Sequence, residues 1–194
     1  MLFRSHAIAA GCFSLAVFFA ASCGQTPQVV DDAALRNSDQ DSGNWLMYGR
    51  TYDDHRYSPL KQIDEQSVGK LGLAWSRELG TTRGLEGTPL VKDGVIYITS
   101  SWSMVYALDA KTGQLRWNHD PKVDRTRAYF MCCDVVNRGV ALYRGKVYVA
   151  TLDGRLIALD EKTGAPVWSV ATTDRDKPYS ITSAPRIADR KSTR

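Results

Sequence analysis

A chain of 194 residues is long enough for one domain with a real core, and its 43% hydrophobic and 24% charged residues are ordinary for a globular protein. The formal net charge is +4, and the excess is spread along the chain with no Lys/Arg-rich block. A clustered basic stripe is the footprint of nucleic-acid binding, so that class of partner is excluded.

Residues 1–23 read as an export signal. Arg4 and His6 give a weakly basic start, and an apolar run follows from Ala7 to Ala21, broken only by Gly11, Cys12 and Ser14. That run is too short to span a bilayer comfortably, and small residues follow it. Ala20-Ala21-Ser22-Cys23-Gly24 resembles a bacterial lipoprotein cleavage site, in which the cysteine becomes the lipidated first residue. The position three before the cysteine is usually Leu and is Ala20 here, so ordinary cleavage nearby is the alternative. Either route exports the chain to a compartment that permits disulfides, with Cys23 offering a membrane anchor. Of the four cysteines, Cys12 leaves with the signal and Cys23 is lipidated or lost, so the mature chain keeps Cys132 and Cys133.

Residues 24–43 are polar and mostly aperiodic, which predicts a flexible linker. Asn37, Asp39 and Asp41 do not make a calcium loop, because Gly43 falls one place late and Tyr48 stands where a Glu is needed. From Trp45 onward, short strand patterns alternate with turn signals. Gly94–Thr99 matches Gly145–Ala150, Ala107–Gly113 matches Ala158–Gly164, and Trp117 matches Trp168, all at the same offset of 51 residues. Val-Tyr and Ile-Tyr alternation predicts half-buried strands. The Asp-x-Lys-Thr-Gly turn brings an Asp for local hydrogen bonds and a Gly for positive φ. Trp75, Trp117 and Trp168 each end a unit, where a large ring packs into the core against the next unit.

Units of about 50 residues with four short strands each are blades of a β-propeller, an all-β fold. Two units are complete, and a further one begins at Ser183-Ala184-Pro185-Arg186-Ile187 before the polar tail 188–194. Propellers close with about 4–8 blades. Two blades leave an apolar flank and strand edges uncovered, so the chain is expected to be a piece of a longer propeller.

Asn44-Trp45-Leu46-Met47-Tyr48-Gly49-Arg50 and Arg56-Tyr57-Ser58-Pro59-Leu60 resemble the opening of quinoprotein dehydrogenases. The Ala-Leu-Asp-x-x-Thr-Gly-x-x-x-Trp repeats resemble the tryptophan-docking motif of that family's eight-bladed propeller. Cys132-Cys133-Asp134-Val135-Val136-Asn137-Arg138-Gly139 resembles the vicinal-disulfide segment of its methanol/ethanol dehydrogenase branch. The resemblance covers residues 44–187. It implies periplasmic oxidation of primary alcohols to aldehydes by pyrroloquinoline quinone (PQQ) with a bound calcium or lanthanide ion, and a cytochrome c as electron acceptor.

The same resemblance implies cofactor-binding roles. Cys132 and Cys133 match the disulfide lying against one face of PQQ; two thiols are the alternative. Arg138 matches the arginine near the quinone oxygens, or is an ion pair between blades. Thr182 matches a threonine that hydrogen-bonds the cofactor, or is a plain strand residue. Glu86 matches a glutamate at the cofactor's edge, or is a surface carboxylate. The family usually has Gly after the threonine, where this chain has Ser183. A guanidinium gives fixed, forked donors to anionic or carbonyl oxygens, which suits a flat tricarboxylate quinone.

In the family the catalytic aspartate, the metal ligands and the opposing tryptophan lie beyond residue 187, so no catalytic or metal-binding residue is assigned and this chain alone is expected to be inactive. His55 and His119 have no partner at metal or triad spacing and read as surface residues. No Cys-x-x-Cys-His haem site occurs. The rival reading is a non-enzymatic, lipid-anchored propeller scaffold of the outer-membrane assembly type. It explains the repeats and Cys23 but not the Cys132-Cys133 segment or Glu86.

Overall fold

The computed structural model describes residues 28–131 and 133–188. The proposed signal, Cys132 and the tail from residue 189 lie outside them. Two four-stranded antiparallel sheets follow one another along the chain, each in sequential strand order. The first holds β1 (Leu90–Lys92), β2 (Val95–Thr99), β3 (Val105–Asp109) and β4 (Leu115–His119). The second holds β5 (Ala141–Tyr143), β6 (Lys146–Ala150), β7 (Arg155–Asp160) and β8 (Pro166–Ala171).

Alternation drives the strands. In β2, Val95, Tyr97 and Thr99 are buried while Ile96 and Ile98 are half-buried. The offset found in the sequence persists in the register: a bulge falls at Ala107/Leu108 in one sheet and at Ala158/Leu159 in the other. The two sheets share one hydrophobic cluster, with Tyr97, Val105 and Trp117 of the first meeting Leu142, Val147, Val149 and Ile157 of the second. These are blades of a propeller that does not close on itself.

The tryptophans explain the stacking. The indole Nε1 of Trp75 donates to the Ala110 carbonyl at 3.1 Å, and that of Trp117 donates to the Glu161 carbonyl at 3.0 Å. Each ring lies on a turn glycine. A Cβ on Gly113 would meet Trp75 at 2.5 Å, and one on Gly164 would meet Trp117 at 2.4 Å. Both glycines also have φ near +70°, so the turn and the docked ring each require glycine there. Trp168 differs from the core reading: it is 40% exposed and rests on Tyr148, and among the described residues no further sheet covers it.

A second tie links the sheets at Glu161. Its carboxylate accepts from Lys92 Nζ at 2.6 Å and from the Tyr97 hydroxyl at 3.3 Å. Lys92 and Glu161 side chains are only 7% and 12% exposed.

The described part of the expected linker carries a short helix and packs on the blades. Asp31 caps α1 (Asp32–Arg36), its carboxylate accepting from Ala34 N–H at 2.9 Å, and Val30 and Leu35 are buried in the shared core. Val30 and Leu35 are the apolar residues of this polar stretch that reach the core, and the Tyr143 hydroxyl donates to Asp32 Oδ1 at 2.7 Å. The segment also bridges both sheets: Val30 carbonyl accepts from Arg144 N–H at 2.8 Å, and Asn44 Oδ1 accepts from Asp93 N–H at 2.8 Å. His119, read as a surface residue, is half-buried at the end of β4, and burial holds its imidazole below the ordinary histidine range.

Candidate cofactor site

Three segments run side by side at the end of the sheets opposite the N-terminal bridge. They are the entries to β1 and β5 and the start of the next unit at 182–187. Thr88 N–H donates to the Arg138 carbonyl at 3.1 Å, and Arg138 N–H donates to the Thr182 carbonyl at 2.9 Å. The approach is close because residue 139 is glycine. A Cβ there would sit 3.1 Å from the Thr88 carbonyl oxygen, and its φ of +133° is one that L side chains rarely adopt.

This ladder gathers three of the five residues singled out in the sequence. The Arg138 Nη2 meets Glu86 Oε2 at 2.8 Å, and Nη1 donates to Thr182 Oγ1 at 2.6 Å. The guanidinium is about one-third exposed, at 33%, so it is held by two neighbours yet open on one side. Arg138 therefore does form an ion pair between adjacent blades. The short distances and the open face make that pair a mount for the guanidinium as well as a tie.

Cys133 is exposed, five residues before Arg138. The expected Cys132–Cys133 bond includes a residue outside the described ones. Asp134, with φ +65°, pairs with Arg83 across the blade boundary. That contact joins the loop carrying Glu86 to the loop carrying Cys133.

Beside Arg138 is a cavity of about 200 Å³ lined by Tyr48, Arg138, Ser183, Ala184 and Arg186. Arg186 is braced by Asp54 at 3.3 Å and lies over the Tyr48 ring at 5.6 Å. Two guanidinium groups and two hydroxyl-bearing residues suit an anionic, planar molecule with carbonyl oxygens. The donor set therefore fits PQQ, with Arg138, Thr182 and Ser183 available as donors. Among the described residues, no three His, Cys, Asp or Glu side chains converge as a metal-ligand group.

Sequence reasoning missed Arg83, Ser103 and Asn137. Asn137 gave a signal: a polar amide placed directly after the apolar pair Val135-Val136, and it is buried with them. Ser103 and Arg83 gave none, because their partners lie 34 and 51 residues away.

Residues 45–175 match the family described as "PQQ: Glucose/ethanol/alcohol dehydrogenase, beta-propeller domain". The match covers more than half of the chain, and the chain belongs to this family of PQQ-dependent β-propellers. It is 59% identical over 162 residues to the quinohemoprotein alcohol dehydrogenase ADH IIB of Pseudomonas putida, covering 84% of this chain and 24% of that protein. It is 53% identical over 148 residues to the 1-butanol dehydrogenase (cytochrome c) of Thauera butanivorans, covering 75% of this chain and 21% of that protein. The solved structure of the quinohemoprotein alcohol dehydrogenase ADHIIG of Pseudomonas putida HK5 superposes with a TM-score of 0.81 at 57% identity, covering 84% of this chain and 24% of that one. The chain thus spans about a quarter of the length of these relatives.

Proposed function

We propose that this chain supplies one wall of the PQQ site of a periplasmic dehydrogenase that oxidises primary alcohols to aldehydes and passes the electrons to a cytochrome c. The observation that carries the reading is the convergence of Glu86, Arg138 and Thr182 from three adjacent segments. When bound, PQQ supplies the quinone that accepts the electrons removed from the alcohol.

The chain's own residues would bind and orient. Arg138, fixed by Glu86 and Thr182, presents its open face to a quinone or carboxylate oxygen. A charge-assisted hydrogen bond from a mounted guanidinium costs little reorganisation, because two of its neighbours already hold it. The Thr182 hydroxyl can donate to a cofactor oxygen while accepting from Arg138. In the same reading Cys132 and Cys133 would form a disulfide against one face of the ring, which the family resemblance implies. A calcium or lanthanide ion belongs to the same reading, with no ligand assigned to this chain. Export through residues 1–23 and attachment through Cys23 rest on the sequence alone.

Titrating the purified chain with PQQ, followed by tryptophan fluorescence, tests the assignment. Arg138→Ala is expected to weaken binding by about tenfold or more, and Thr182→Val by a few-fold. Binding equal to wild type in Arg138→Ala would sink the site. Given PQQ, calcium and a primary alcohol, the 194-residue chain by itself is expected to reduce no dye acceptor, because it spans about a quarter of its relatives' length. Measurable turnover would overturn that expectation.

A further inference from the structure

We propose that Asn137 is the positioning residue that aims the Arg138 guanidinium, an inference that rests on reading Arg138 as part of the cofactor site. Asn137 is 1% exposed, and its amide is used on both sides. Nδ2 donates to Ser103 Oγ at 3.1 Å and to the Ala150 carbonyl at 2.8 Å, while Oδ1 accepts from Gly139 N–H at 3.0 Å. The Asn137 carbonyl accepts from Thr99 Oγ1 at 2.9 Å.

These partners belong to both blades. Thr99 ends β2, Ser103 lies in the β2–β3 connection, and Ala150 ends β6. The bond to Gly139 closes a turn whose central residue is Arg138. The Arg138 peptide is therefore held from four directions: by Thr88 and Thr182 through its own backbone, and by Asn137 and Gly139 on either side.

An amide is the side chain that offers two donors and an acceptor in this small volume. A carboxylate would face the Ala150 carbonyl without a donor, and a hydroxyl is too short to reach both sheets. Ser103 is equally committed. It is fully buried, has φ +59°, and its Oγ also accepts from Leu152 N–H at 3.2 Å. A non-glycine residue in that backbone region persists where its surroundings over-determine it. A buried network in which the Asn137 amide nitrogen and oxygen and the Ser103 oxygen each have a partner favours one arrangement, and here that arrangement sets where Arg138 points.

The test separates aiming from simple stabilisation. Slowly exchanging Arg138 Nη protons, held by Glu86 and Thr182, should give resolved nitrogen-15 NMR signals in the full chain. Asn137→Ser is expected to broaden or abolish them and to weaken PQQ binding about tenfold. The double variant Asn137→Ser/Arg138→Ala should bind PQQ no more weakly than Arg138→Ala alone, since both changes act through one group. Tyr97→Phe, which loosens the blades elsewhere, should keep the Arg138 signals. Ser103→Ala removes one partner and should weaken the signals in the same direction, and it decides the matter if Asn137→Ser does not fold. Wild-type-like Arg138 signals in the folded variant, or additive losses in the double variant, overturn the proposal. A wild-type chain that binds no PQQ overturns the cofactor reading instead, leaving the NMR comparison to decide the positioning claim.

Discussion

At the scale of single residues, the two Asp-x-Lys-Thr-Gly turns show how a short motif becomes structure. Asp109 Oδ1 accepts from the Lys111 N–H, the Thr112 N–H and the Thr112 hydroxyl at 3.0–3.1 Å, and Asp160 repeats the pattern with Lys162 and Thr163 at 2.8–3.1 Å. Arg116 on Asp109, followed by the Thr112 bonds, holds that carboxyl down to about 2. A depressed carboxylate contributes stability above its unfolded pKa of about 3.9, and loses it as pH falls towards 2. Asp109→Asn should therefore flatten the acid-unfolding curve between about pH 4 and 2, read by circular dichroism. An unchanged curve would show that the turn does not hold its charge in solution. Gly164→Ala combines a left-handed backbone with a clash on Trp117, and should cost about 2 kcal/mol or more in urea unfolding.

At the scale of elements, blade meets blade through a ring and a buried charge. Burial pulls the Lys92 ammonium down, but the bonds to Glu161 and Asp93 outweigh it and raise its pKa. That contribution is present below the unfolded lysine pKa and disappears as pH rises through the folded one, so the lysine's share of the sheet-to-sheet contact should be lost in strong alkali. Lys92→Met leaves Glu161 buried without its cation and should cost about 3–5 kcal/mol, measured by chemical unfolding. Lys92→Met/Glu161→Leu should recover most of that loss, because no charge then remains buried. A double variant as weak as the single one would mean that packing, not charge, is at stake.

At the scale of the molecule, two apolar flanks face outward. Val167, Trp168 and Val170 line one, and Leu71 and Leu73 the other, Leu73 being 85% exposed. A blade buries its faces only against neighbours, so these flanks are expected to drive concentration-dependent association of the isolated chain. Sedimentation velocity should show it, and Val167→Glu with Val170→Lys should reduce it. A monomer at all concentrations would show that the flanks are tolerated in water.

Repeats, strands, turn glycines and docking tryptophans were legible because they are local: each is a pattern of residue types within a dozen positions, repeated at one offset. Glu86, Arg138 and Thr182 were visible as members of motifs. Their meeting was not, because the partners lie 52 and 44 positions apart and only the ladder of Thr88, Arg138 and Thr182 sets their distances. Val30 and Leu35 were not legible as core, since a polar average hides two side chains that find a core once the blades exist. The sequence by itself determined the blade, its turns and the chemistry available to the site. Tertiary structure alone decided which exposed-looking polar residue, Asn137, is buried and bonded to both sheets. The docking tryptophans repeat at the 51-residue offset, but Asn137 does not, since Glu86 stands 51 positions before it, so its bonds to the two blades depend on stacking geometry that leaves no periodic mark at that position.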